Sequence, residues 1–189
     1  TAALIGHLAF LRNDPDCRDS IQRGLALAEL QSAGYWSKYC RLLLAALDGP
    51  AALSGAIIRL PTHDRATVSV LAEVVVSALK DLDAGALAVV AEEARLRPIR
   101  WRPALRRAIE NAEPAQKLAA GRLLDQIGEA EDVLSLRALA RSLRGPHADP
   151  LLGRGLAKRL ALPVLIDDLG SIQIHVGSRT IHGADVRRK

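Results

Sequence analysis

Residues 117–124 read Lys117-Leu118-Ala119-Ala120-Gly121-Arg122-Leu123-Leu124, and this stretch decides the fold. Every residue but Gly121 is a good helix former. Pro114 stands just ahead, where a proline suits the first turn of a helix. Thirty-two residues later the pattern returns: Pro146 precedes Leu151-Leu152-Gly153-Arg154-Gly155-Leu156, with Gly-Arg in register. Upstream, Leu105-Arg106-Arg107-Ala108 is echoed by Leu136-Arg137-Ala138-Leu139 at nearly the same offset. A period of this length marks helical solenoids, in which each helix pair buries its apolar face by stacking on its neighbours.

Composition agrees. Leu and Ala contribute 32 residues each, Val and Ile only 11 each, and aromatics are 3% of the chain. An all-β sandwich is therefore excluded, since strands favour β-branched and aromatic residues. The expected fold is mainly α. It divides into helical hairpins over 1–99, helical repeats over 100–162 and a small antiparallel β unit over 163–189.

Working outward, Leu4 to Arg12 reads as a helix broken at Asn13. Asp14 is the expected N-cap of a second helix, with Pro15 at its first position. Tyr35 to Leu47 and Ala51 to Leu60 follow as helices between turns at Ala33-Gly34, Asp48-Gly49-Pro50 and Pro61. Thr62 or Asp64 caps a further helix running through Leu71, Val74, Val75 and Leu79, and Asp83 caps Ala86 to Leu96. Gly128 is expected to close the 117–124 helix in the left-handed conformation, with Asp132 capping the next. Past Leu162-Pro163 the texture changes. Val164-Leu165-Ile166 is β-prone. Ile172, Ile174 and Val176 alternate with Gln173 and His175 at the period of a half-buried strand, and Thr180-Ile181-His182 supplies a third strand.

No apolar run reaches the roughly 20 residues of a membrane span. The best candidate, Val68 to Leu79, is interrupted by Glu73. Cys17 and Cys40 have no metal-ligand spacing and are expected as free buried thiols in a reducing cytoplasm. The chain opens at Thr1, has no Met, and ends at Arg187-Arg188-Lys189 just after a helix-start signal at Ala184-Asp185-Val186. A segment of a longer parent is expected.

The net charge of +5 is uneven. Residues 95–162 carry 14 basic and 7 acidic groups, hence +7, while 1–94 carry 8 and 11, hence −3. Arg137, Arg141 and Arg144 stand at i, i+4 and i+7 on one helix face, and Arg154 and Lys158 repeat the spacing on the next. These five form the candidate basic surface, suited to a nucleic acid or an acidic partner. The plainer alternative is a solvated face neutralised by Glu129, Glu131 and Asp132.

No catalytic, cofactor or metal site is legible. Gly153-Arg154-Gly155 follows no strand and lacks the Gly-Lys-Ser/Thr of a phosphate loop. Neighbouring residues diverge, so neither Glu92-Glu93 nor Asp167-Asp168 makes an acid/base dyad. His7, His63, His147, His175 and His182 are scattered. His175 and His182 can approach across a hairpin, but nothing completes a tetrahedral set. Trp101, placed at a helix entrance before Pro103, is expected to plug a groove between repeats.

Two resemblances attach to these residues. Ala119 to Gly128 followed by Glu131 to Leu139 resembles a HEAT repeat, and Leu8-Ala9-Phe10-Leu11 through Ala26-Leu27-Ala28 resembles a tetratricopeptide hairpin. Leu165-Ile166-Asp167-Asp168-Leu169-Gly170-Ser171-Ile172-Gln173-Ile174-His175-Val176-Gly177-Ser178-Arg179-Thr180-Ile181, with Asp185 to Lys189, resembles the opening of the winged-helix domain in bacterial transcriptional activators of the antibiotic-regulator type. That resemblance implies a small sheet with a Leu-Gly turn, then a helix starting near an Arg-Arg-Lys cluster. The recognition helix would come later, beyond Lys189. The function it implies is a non-catalytic sensor or interaction segment of a cytoplasmic DNA-binding regulator. Its partners would be a protein or other domains of the same chain, with DNA met through a domain mostly beyond Lys189. The alternative is a freestanding helical-repeat scaffold.

Overall fold

The computed structural model describes residues 2–167 and 173–182. The protein is mainly helical, with a small antiparallel sheet after the helices. Helices α1 (Ala2–Leu11), α2 (Cys17–Leu30) and α3 (Gly34–Asp48) come first, then α4 (Pro50–Arg59). Short α5 (Ala66–Val70) and α6 (Ala72–Ser77) lie between 3-10 turns at Thr62–Asp64 and Leu79–Asp81. Helices α7 (Ala84–Leu96), α8 (Pro98–Asn111), α9 (Pro114–Ile127), α10 (Asp132–Ser142) and α11 (Arg154–Leu160) complete the helical body.

Helices adjacent in the chain pack on one another, α1 on α2, α2 on α3, α3 on α4 and α8 on α9. Longer-range packing of α4 on α7, α6 on α8 and α7 on α9 ties these pairs together. One continuous core runs from Ala3 to Leu156, and it crosses the expected division at residue 99 without a break. The α1–α2 crossing is close at two points. A Cβ on Gly6 would lie 2.7 Å from Ile21 Cγ1, and one on Gly24 would lie 3.1 Å from the Ala3 backbone. The helices meet at backbone distance because these positions carry no side chain.

Several starts and stops follow the sequence. Pro114 opens α9, and Pro50, expected in the turn ahead of a helix from Ala51, is itself the first residue of α4. Asp83 caps α7 by accepting the Ala86 N–H at 2.8 Å. Asp14 behaves differently from expectation. Its carboxylate accepts the Asp16 N–H at 2.9 Å, so it caps the turn ahead of α2, which starts at Cys17 with Pro15 outside it. Pro103 is not at a helix entrance. It lies inside α8, which Pro98 opens, and its missing N–H leaves the ladder one donor short.

The single helix expected from Thr62 to Leu79 is instead broken into α5, α6 and the flanking turns. Thr67, Val68, Val70, Val74, Val75 and Val76 are β-branched and stiff at χ1, so the segment has weak helical preference of its own. A residue from another helix then stabilises the break. Gln116 of α9, itself 5% exposed, donates to the Val76 carbonyl and accepts the Lys80 N–H at 3.1 Å. Its amide replaces partners that a continuous helix would have supplied.

Gly128 is also not as expected. Its φ is −66°, an extended conformation rather than a left-handed one. The glycine is needed for space, since a Cβ would lie 2.7 Å from the Leu124 carbonyl oxygen and 2.8 Å from Leu156 Cδ2. The Gly-Arg echo falls on unlike positions. Gly121 is in the middle of α9, whereas Gly153 is the left-handed residue that leads into α11.

Strands β1 (Val164–Asp167), β2 (Gln173–Val176) and β3 (Arg179–His182) form an antiparallel meander in the order β1-β2-β3. Val164 pairs with Val176, and His175 pairs with both Leu165 and Thr180. The register gathers Val164, Ile166, Ile174, Val176 and Ile181 on one face, and Gln173, His175, Thr180 and His182 on the other. Asp168, the Leu169-Gly170 turn, Ile172, Gly183, the helix entry at Ala184 to Val186 and the Arg187-Arg188-Lys189 cluster lie outside the described residues.

Candidate functional site

The residues of the candidate basic surface separate into three environments. Arg137 and Arg141 lie one turn apart on the exposed face of α10, and Arg154 is the first residue of α11. Together with Ala140, Pro150 and Leu152 they line one open groove of about 420 Å³. Arg144 is used otherwise. Its guanidinium donates to the carbonyls of Arg141 and Leu143, satisfying the C-terminal end of α10. Lys158 is exposed one turn beyond Arg154 and outside the groove.

Arg154 reaches the groove because of Gly153, which the sequence marks by its Gly-Arg echo, and Asp125, which it does not mark. Gly153 turns the chain with φ +80°, and a Cβ there would lie 3.1 Å from Leu136 Cβ and 3.3 Å from Arg137 Cγ. Only glycine combines that conformation with that approach. Asp125 of α9 then fixes the start of α11. Its Oδ1 accepts the N–H of Gly153 at 3.1 Å and of Leu156 at 2.9 Å. Those amides are therefore taken, and the Gly153-Arg154-Gly155 turn is not a phosphate loop. Asp125 is 28 residues from Gly153, so no local pattern announces the contact.

The carboxylates that sequence proximity assigned to the basic face are engaged elsewhere. Glu129 pairs with Arg102 and Arg106, and Glu131 pairs with Arg106 at 2.7 Å. Asp132 takes a two-pronged contact from Arg106, 2.7 Å from Nε and 3.0 Å from Nη2, and accepts the Glu129 N–H at 2.8 Å. Hydrogen bonding to Asp132, with the charges of Asp132 and Glu131, raises the Arg106 pKa. Burial pushes the Asp132 carboxyl up. Arg106 and the Glu129 N–H outweigh that and hold it below its ordinary value. Arg122 pairs with Asp149 at 3.0 Å, and Arg107 pairs with Glu73. Among the described residues none of Arg137, Arg141 and Arg154 has an ion-pair partner, and no carboxylate lines their groove.

The remaining polar groups serve the fold. Trp101 is fully buried and donates its indole N–H to Ser69 Oγ at 3.0 Å. Ser69 donates onward to Glu93 at 3.2 Å, and Glu93, 3% exposed, also takes Arg97. Its neighbour Glu92 is exposed and pairs with Arg65 at 2.9 Å, so the two carboxylates point apart. The Tyr39 hydroxyl and His7 Nδ1 share a hydrogen bond, while His7 Nε2 is buried without a partner. Burial, with Tyr35 and Cys40 beside it, pushes the Tyr39 phenol up to about 12. Burial alone lowers His7 and raises the Cys40 thiol. Cys17 and Cys40 are free and buried.

His175 bonds Thr180 Oγ1 at 3.0 Å, and His182 lies diagonally from it on the same sheet face. Among the described residues no group of three or more His, Cys, Asp or Glu is placed to hold a metal ion. Nor is any helix among them long and apolar enough to cross a membrane. No protein-family model, curated protein or solved structure matches the chain.

Proposed function

We propose that this chain is a non-catalytic helical interaction segment of a cytoplasmic, DNA-binding bacterial transcriptional regulator. The helices receive or relay a contact from a protein partner or from other domains of the same chain. The strands open a winged-helix domain whose recognition helix follows beyond Lys189. One observation carries this reading. The described helices end at Leu160, and the antiparallel strands β1, β2 and β3 that follow lie in and beside the stretch from Leu165 whose sequence resembles the start of such a domain. Consecutive packing of α1, α2, α3 and α4, and of α8 on α9, supports stacked HEAT- or tetratricopeptide-like hairpins as the interaction body.

The test extends the chain through the open reading frame past Lys189 and selects binding sites from random duplexes. The expected result is sequence-selective binding by the extended protein. These 189 residues alone should bind duplex weakly, without sequence preference and with steep salt dependence. A stop codon after Lys189, or sequence-selective binding by the 189 residues, rejects this reading. The stop codon would favour a freestanding protein-interaction scaffold.

A further inference from the structure

We propose that the groove lined by Arg137, Arg141 and Arg154 is a binding site for a small anion bearing two or three linked phosphate groups. Three guanidiniums from two helices line about 420 Å³ of open groove, and no carboxylate accompanies them. Most arginines elsewhere between 95 and 162 are already engaged. Arg97, Arg102, Arg106, Arg107 and Arg122 pair with carboxylates, Arg95 donates to Gln126, and Arg144 and Arg159 donate to backbone carbonyls. Three like charges in one groove repel one another, and a bound polyanion removes that repulsion.

The arrangement is held from below. Asp125 takes the amides at the start of α11, and Gly153 packs on Arg137, so Arg154 is fixed beside it. With those amides occupied, recognition falls to the guanidiniums, whose planar forks match phosphate oxygens in pairs. Ala140, Pro150 and Leu152 supply only apolar surface between the charges. The lining has no aromatic ring to stack a base and no amide to read one. Beyond the groove the cations thin out: Arg122 is paired with Asp149, Arg144 and Arg159 are held by backbone carbonyls, and Lys158 stands exposed one turn on from Arg154. A bounded set of charges suits a bounded anion better than a polymer. This assignment rests on the groove alone and not on the regulator reading.

Titration calorimetry of the 189-residue chain with sodium triphosphate, with sodium sulfate and a 20-base-pair duplex as further arms, tests it. Saturable one-to-one triphosphate binding, with sulfate much weaker, is expected. Arg137→Ala and Arg154→Ala should each weaken it about tenfold or more, since each removes charge-assisted hydrogen bonds. Arg137→Lys should fall between them and the wild type. Arg100→Ala removes an exposed charge from α8 and should leave binding unchanged; circular dichroism checks that each variant is folded. No saturable triphosphate binding, equal losses in the Arg100 and Arg137 variants, or binding to duplex without binding to triphosphate would each overturn the proposal.

Discussion

Asp125 and Leu156 are 31 residues apart, and the carboxylate of the first accepts the backbone N–H of the second at 2.9 Å. The cap of α11 is thus supplied by α9 and not by the residue that precedes α11. Loss of an N-cap acceptor typically costs about 1 kcal/mol, with a range of roughly 0.5–2. Asp125→Ala should lower stability by about that amount in urea unfolding, and Asp125→Asn, which keeps an acceptor oxygen, by less. Equal stability of the alanine variant and the wild type would show that α11 is held by its buried Leu156 alone.

Gly153 and Gly145 both have positive φ, +80° and +59°, but only Gly153 is crowded. Gly145→Ala should cost about 1 kcal/mol for the left-handed backbone. Gly153→Ala should cost more, by about a further 1–3 kcal/mol of overpacking against Leu136 and Arg137. Paired thermal melts of the two variants compare them. A ranking in which Gly145→Ala is the worse would contradict the packing described for the groove.

Glu92 and Glu93 are adjacent in sequence and opposite in environment. Glu93→Ala leaves the buried Ser69 hydroxyl and the Arg97 guanidinium short of a partner, and about 2–3 kcal/mol of stability should be lost. Glu92→Ala removes only an exposed pair with Arg65 and should stay within about 0.5 kcal/mol. Denaturant midpoints of the two variants, measured side by side, decide the matter.

His7 and Asp132 each have a lowered value that contributes to the pH response below neutrality. His7 is depressed by burial, so its contribution to stability is complete above its unfolded value of about 6.5 and fades as pH falls below it. Asp132 is also held below its ordinary value. Its contribution is complete above about pH 4 and is lost as pH falls through the depressed value. Melting temperatures between pH 8 and 3 should therefore decline in two steps. His7→Phe should remove the upper step and leave the lower one. A decline confined to the acid step would remove His7 from this account.

The i, i+4, i+7 spacing puts Arg144 on the candidate basic surface with Arg137 and Arg141. Its hydrogen bonds to the Arg141 and Leu143 carbonyls tie its guanidinium to the end of α10, outside the groove lining. Arg144→Ala should fray the end of α10, seen as faster amide exchange at Leu143, while anion affinity in the neighbouring groove stays within about twofold, since no contact to the anion is lost. A loss as large as that of Arg137→Ala would return Arg144 to the binding face.

What could be read from the sequence was local. Pro114 at a helix start, the Asp83 cap and the strand over Gln173–Val176 all follow from residues within a short span, and each is found where the local pattern puts it. What escaped was settled by distant partners. Gln116 acts 36 residues from Lys80 and stabilises a break where periodicity suggests one helix. Gly128 is fixed by the room beside Leu156, not by backbone conformation. The candidate arginines were found by i, i+4 spacing. Spacing does not show that Glu129, Glu131 and Asp132 are paired with Arg106 of α8.

The Gln116 amide also bears on how this chain can change over generations. It serves the Val76 carbonyl and the Lys80 N–H at once, so the interrupted segment and the glutamine form one heritable unit. A descendant that loses the amide must either regain a continuous helix across 77–80 or admit water to the gap. Related chains should therefore divide into two lineages. One would keep glutamine or asparagine opposite a broken helix, and the other would carry an apolar residue opposite an unbroken one, with few intermediates surviving between them.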